Sequence, residues 1–189
     1  MKVLLIRHGL TPLGEAGKYQ GSLDDGLSET GLRQLRRAAR TPERVYVSPA
    51  RRARETASVL FPDAEQIAVS DLREMDFGAF EGRSFREMEN DPAYRAWVDG
   101  GCEGRCPGGE DRAAFSGRVC RALLEILDRE AEAGAVVIVA HGGTQMAALE
   151  RWGTPPRDYW RWQTACGRGW LLDWNGETLR VSEEIGFTV

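Results

Sequence analysis

Two apolar runs in this chain end in the same way. Val3-Leu4-Leu5-Ile6-Arg7-His8-Gly9 and Val136-Val137-Ile138-Val139-Ala140-His141-Gly142-Gly143 each pass from aliphatic residues to a histidine followed by glycine. Short continuous apolar runs of this kind predict strands buried in a parallel sheet, here residues 2–7 and 135–140. Arg44-Val45-Tyr46-Val47-Ser48 predicts a strand over 44–48, and Ile67-Ala68-Val69 a short one. Between the strands the period changes to that of a helix. Leu32, Leu35, Ala38 and Ala39 follow Ser28, a residue suited to cap a helix. Ser48-Pro49 suits the opening of a helix over 50–60. Helical fragments are expected at 84–90 and 92–98. A long helix over 110–133 is carried by Phe115, Val119, Leu123, Leu124 and Leu127, and another runs from 143 to 152.

Residues 9–27 and 70–83 have no apolar period and read as loops; the second carries Glu74, Gly78 and Gly82. Near the end, Gly169–Trp174 and Glu177–Ser182 flank Asn175-Gly176, a strong hairpin signal. Alternating strands and helices imply an α/β fold. The expectation is a single 1–189 domain with three layers, α/β/α, a mostly parallel, mixed central sheet and a C-terminal β-hairpin.

Composition narrows the function. The 189 residues suffice for one full core, and 42% hydrophobic with 29% charged is ordinary for a soluble protein. A net charge of −4 gives no reason to expect nucleic acid as a partner. No run reaches the roughly 18 apolar residues of a membrane helix. The apolar start is broken by Arg7 too early for a signal peptide, so a cytoplasmic protein is expected. Only Lys2 and Lys18 among the 25 basic residues are lysine, a bias that a GC-rich genome explains. Cys102 and Cys106 share a Gly-rich loop, while Cys120 and Cys166 lie apart; free thiols are the cytosolic default. Zinc at the loop pair would lack nearby third and fourth ligands.

Ligands of open α/β sheets bind beyond the carboxyl ends of the strands, so both histidines are placed where chemistry is done. Arg7 adds a guanidinium whose fork matches phosphate oxygens, and His8 beside it can serve as nucleophile or base. Ser48-Pro49-Ala50-Arg51-Arg52-Ala53-Arg54-Glu55-Thr56-Ala57 brings more arginine to another strand-to-helix junction. His141-Gly142-Gly143-Thr144 opens a helix, whose first N–H groups attract anions. Two histidines, two arginines and a helix N-terminus around one point suit a phosphoryl group.

Together with Leu72-Arg73-Glu74 and Phe77-Gly78-Ala79-Phe80-Glu81-Gly82, these motifs resemble the histidine phosphatase superfamily, which includes the cofactor-dependent phosphoglycerate mutases. The resemblance runs from residue 3 to about 145. It implies that His8 becomes phosphohistidine, that Arg7, Arg52 and His141 hold the phosphoryl oxygens, and that Glu74 is the acid that protonates the leaving alcohol. It also implies phosphate-binding positions at Thr11, Gln20, Gly21 and Gly142. No metal or other cofactor is then required, because arginine neutralises the charge. Leu10 stands where the family often has Glu, and Gly14 where it has a phosphate-holding Asn, so Gln20 or backbone N–H groups are expected to substitute.

Tyr19-Gln20-Gly21-Ser22-Leu23-Asp24-Asp25-Gly26-Leu27-Ser28 is similar to a segment of the α-ribazole phosphatases of cobalamin synthesis. This resemblance implies a hydrolase of a small phosphorylated metabolite, as monomer or homodimer, with a pocket that would also take phosphate or sulfate. Competing readings are phosphoglycerate mutase-type transfer, a catalytically dead phosphate-binding module, and a zinc hydrolase using His8 and His141. Trp97 with loop 99–110 is a candidate lid, since its glycines permit motion.

Overall fold

The computed structural model describes residues 1–188. Strands β1 (Lys2–Arg7), β2 (Arg44–Val47), β3 (Glu65–Ala68), β4 (Ala135–Ala140), β5 (Gly153–Thr154), β6 (Arg168–Trp174) and β7 (Leu179–Gly186) form one sheet in the order β3-β2-β4-β1-β6-β7-β5. β1 pairs in parallel with β4, and β2 with both β3 and β4, while β6 is antiparallel to its neighbours β1 and β7. The sheet is therefore mostly parallel and mixed, with β6 alone reversed.

Helices α1 (Pro12–Glu15), α2 (Glu29–Gln34), α3 (Arg51–Leu60), α4 (Pro92–Asp99), α5 (Arg112–Arg129) and α6 (Gly142–Trp152) complete the fold. Side chains alternate across the strands, so each face has its own core. Leu5, Tyr46 and Ile138 pack with Phe115, Val119 and Leu123 of α5 and Leu149 of α6. Ile6, Val45, Val47, Val137 and Val139 pack with Ala53, Ala57 and Leu60 of α3. Burial on both faces explains why these strands read as unbroken apolar runs.

Several expectations are corrected. The helix expected through Ala39 stops at Gln34. Leu35 turns extended and bridges Thr188, and the Arg36 N–H donates to the Phe187 carbonyl at 2.8 Å. Pairing with the distant C-terminal segment thus overrides local helical spacing, and Leu32 is left exposed. Residues 84–90 are turns without a helix. The third strand is shifted to Glu65–Ala68. The Asn175-Gly176 turn is a four-residue loop between the paired Trp174 and Leu179, because the Asn175 side-chain oxygen Oδ1 accepts the N–H groups of Glu177 and Thr178. The second hairpin strand runs on to Gly186.

Loop 99–110 is tied down. Glu110 N–H donates to Asp76 O at 2.8 Å, Ala79 N–H to Pro107 O at 2.9 Å, and Trp97 Nε1–H to Gly104 O at 3.0 Å. Gly109 allows this approach: a Cβ there would stand 2.8 Å from the Gly78 nitrogen. The loop expected as a candidate lid is thus hydrogen-bonded to the segment around Asp76–Ala79, and its Cys102 lines the cavity described below. All four cysteines are free thiols. No described helix is long and apolar enough to cross a membrane.

Candidate active site

Three adjacent parallel strands, β2, β4 and β1, deliver Ser48, His141 and His8 from their carboxyl ends. The ladder runs one step beyond each strand: Ser48 N–H donates to Val139 O and His8 N–H to Ala140 O, both at 3.0 Å. This fixes the backbone of Ser48 and His8 to the sheet. The rings of His8 and His141 meet with centroids 5.2 Å apart at 66°.

Each imidazole is constrained by one bond. His8 Nδ1 lies 2.7 Å from the Gly9 carbonyl oxygen. A carbonyl only accepts, so Nδ1 carries the proton and Nε2 keeps a free lone pair. His141 Nε2 lies 2.7 Å from Ser48 Oγ, and its Nδ1 has no partner. Burial pushes the pKa of both rings well below the usual 6.5, and the neighbouring charges of Arg52 and Arg7 push it further. Both are neutral at neutral pH.

The guanidinium groups are anchored by carbonyls. Arg7 Nη1–H donates to Thr164 O at 2.7 Å, and Thr164 is held by Gln145, whose amide donates to Leu5 O. Arg52, in the first turn of α3 and only 1% exposed, donates to Leu23 O at 2.8 Å and Gly21 O at 2.9 Å. Thr56 links this helix to β1: its hydroxyl donates to Arg52 O and accepts the Gly9 N–H. The α3 N-terminus lacks the expected Ser48 cap. The Asp24 carboxylate accepts the Arg51 N–H instead, while Ser48 engages His141. Among described residues, five buried side-chain nitrogen or oxygen atoms have no partner; three are Arg7 Nε, Arg52 Nε and His141 Nδ1. Buried polar groups are rarely left unpaired, and this cluster is therefore suited to an anionic ligand.

Glu74 follows β3 through a short 3-10 turn at Ser70–Leu72. Its carboxylate accepts the Met75 N–H at 3.0 Å and the Gly143 N–H at 3.3 Å, the latter in the first turn of α6. Arg7, His8, Thr11, Gln20, Gly21, Arg52 and Glu74 all line one cavity of about 400 Å³. His141 is fully buried beside His8 and is not among the cavity-lining residues, and Gly143 takes the wall position expected of Gly142, which packs near Gln163. Gly14 also lines the cavity and offers no side chain there. Gln20 is engaged inside its own loop, accepting from Thr11 Oγ1 at 3.1 Å and donating to Asp25. Sequence reasoning missed the opposite wall: Tyr19, Phe77, Phe115, Tyr159 and Trp160 join Trp97 there. Trp160, 53% exposed, and Trp97 belong to the six tryptophans whose number alone suggests that some line a cleft; the tyrosines and phenylalanines carry no such signal.

Residues 3–183 match the family model for the histidine phosphatase superfamily, branch 1. The chain belongs to that superfamily. It is 33% identical over 167 residues to the adenosylcobalamin/alpha-ribazole phosphatase of Salmonella typhimurium, covering 82% of this chain and 81% of that one. It is 31% identical over 163 residues to a metal-independent phosphoserine phosphatase of Arabidopsis thaliana, covering 79% and 68%. Among solved structures, an Escherichia coli protein provisionally named an alpha-ribazole-5'-P phosphatase superposes with a TM-score of 0.84 at 26% identity, covering 100% of this chain and 96% of that one.

Proposed function

We propose that this histidine phosphatase is a metal-independent phosphomonoesterase that works through phosphohistidine on His8. The observation that carries the reading is the set of unpartnered buried nitrogens on Arg7, Arg52 and His141 beside a neutral His8 with a free Nε2. His8 Nε2 attacks phosphorus, the bond from phosphorus to the ester oxygen breaks, and protonated Glu74 gives its proton to the leaving alcohol. Arg7, Arg52 and His141 hold the phosphoryl oxygens as charge develops. Water then attacks phosphorus, Glu74 takes its proton, the bond to Nε2 breaks, and phosphate leaves with His8 restored.

The aromatic wall favours a leaving group with a planar, apolar body, such as the α-ribazole of α-ribazole phosphate in cobalamin synthesis. Lys18 and Arg112, the further cations on the wall, are already paired with Glu87 and Glu103, which disfavours a carboxylate-bearing leaving group. The chain is proposed to act as one domain in the cytoplasm, as monomer or homodimer. Phosphate release should be measured on α-ribazole phosphate, phosphoserine, sugar phosphates and 3-phosphoglycerate, the last with and without 2,3-bisphosphoglycerate. The expected result is fastest release from α-ribazole phosphate and an acid-labile phosphoenzyme absent in His8→Ala. Isomerisation of 3-phosphoglycerate outrunning hydrolysis would overturn the hydrolase reading, and unchanged turnover in His8→Ala would overturn the mechanism.

A further inference from the structure

Arg118 lies on α5, buried and away from the cavity. Its guanidinium uses all five of its N–H donors. Nη1 donates to Asp71 O at 3.0 Å and to Arg73 O at 2.8 Å, and Nη2 to Glu74 O at 2.9 Å. Nε and the second Nη2 hydrogen go to the two carboxylate oxygens of Glu110, at 2.8 and 2.7 Å. Glu110 extends the hold past Glu74: its carboxylate accepts the Asp76 N–H at 3.1 Å, and its own N–H donates to Asp76 O. The backbone is therefore gripped at 71, 73, 74 and 76, on both sides of one residue.

That grip is unusual for a loop. Residues 73–76 have no strand or helix to satisfy their carbonyls, which must find partners when buried. A planar fork with five N–H donors in fixed directions can serve three carbonyls and a bidentate carboxylate at once, and lysine, with three donors on one nitrogen, cannot. Burial raises the pKa of the Glu110 carboxyl, but bonds from Arg118 and Asp76 outweigh this and hold it below its ordinary value. The ion pair is thus permanent across the physiological range.

We infer that Arg118, clamped by Glu110, is the positioning residue that aims the Glu74 carboxyl at the leaving-group oxygen. The inference rests on the reading of Glu74 as the acid. Arg118 touches no substrate; it sets where the Cα of Glu74 sits, and the Met75 and Gly143 N–H groups then orient the carboxylate. A catalytic acid displaced by about 1 Å loses much of its effect.

The test is the dependence of phosphoenzyme formation on the leaving group. Single-turnover rates are measured for aryl phosphates from p-nitrophenyl to phenyl phosphate, in wild type, Glu74→Gln, Arg118→Lys and Glu110→Gln. p-Nitrophenolate departs without a proton, whereas the more basic phenolate needs one. Glu74→Gln should steepen the series. Arg118→Lys should steepen it in the same sense, losing at least about tenfold on phenyl phosphate, within the roughly 10²–10⁴-fold a positioned acid supplies, and little on p-nitrophenyl phosphate. Equal loss on every substrate in Arg118→Lys, with Glu74→Gln steepened, would make Arg118 merely structural and overturn the inference. An unsteepened series in Glu74→Gln would remove the acid itself, and with it the inference. If Arg118→Lys does not fold, Glu110→Gln, which keeps the arginine but loosens its clamp, is judged by the same criterion.

Discussion

The edge of one imidazole faces the other: His8 and His141 sit with ring centroids 5.2 Å apart at 66°, inside a shell that already contains two guanidinium groups. A proton on either ring would add buried positive charge next to Arg7 and Arg52, and both pKa values are lowered accordingly. On the proposed mechanism the active form is the neutral pair. The acid limb of kcat/KM should therefore lie below pH 6.5, where a free histidine would titrate.

The same shifts set a stability slope. As pH falls through about 6.5, the unfolded chain takes up protons that the folded chain refuses until the lower folded pKa is reached, so stability falls over that window. The thermal midpoint should drop between pH 7.5 and 5, and His141→Gln, with one fewer such group, should drop less steeply. An identical slope in the two proteins would contradict the shift.

Ser48 is the partner of His141 Nε2 at 2.7 Å. Ser48→Ala leaves that nitrogen buried without a bond, which costs about 1–3 kcal/mol. At roughly 2–4 °C per kcal/mol for a chain of this size, differential scanning calorimetry will resolve the loss. Turnover should fall as well, because the ring loses the bond that fixes its orientation; inorganic phosphate inhibition should weaken in parallel.

Gly21 has φ +49°, and its carbonyl accepts from Arg52. A Cβ there would fall on the Glu81 carboxylate and 2.8 Å from the Met75 carbonyl oxygen. Gly21→Ala should cost about 1–2 kcal/mol from the left-handed backbone alone. It should also lower kcat/KM by moving the acceptor of Arg52. Urea titration and steady-state kinetics on p-nitrophenyl phosphate check the two effects separately.

Trp160 stands at the cavity mouth with its ring half in solvent. Trp160→Ala should raise KM for an aromatic-bodied phosphate while leaving the melting temperature and the p-nitrophenyl phosphate kcat near wild type. A matched rise in KM for glycerol phosphate would show that the ring does not recognise an aromatic body.

The strands that carry the site were legible because they are buried on both faces and read as unbroken aliphatic runs. Arg7, His8, Arg52 and Glu74 were legible from their motifs, and all four line one cavity. The missed features act over long sequence separations. Leu35 leaves its helix for Thr188, and Ser48, whose Oγ accepts the Ala50 N–H at 3.3 Å, also reaches His141, 93 residues on. Arg118 serves through backbone carbonyls some 44 to 47 residues earlier, which no side-chain pattern records. Tyr159 and Trp160 lie in a single 3-10 turn, too short to show a period.

The reversal of β6 has a consequence for biosynthesis. Because that strand runs against β1, its leading end returns to the catalytic edge, where the Gly167 N–H donates to the carbonyls of Arg7 and His8 and Thr164 receives Arg7. The support therefore comes late relative to the strand it holds: Arg7 and Thr164 are 157 positions apart. On the ribosome β1 waits with an edge open until β6 emerges, and is exposed to wrong partners over that interval.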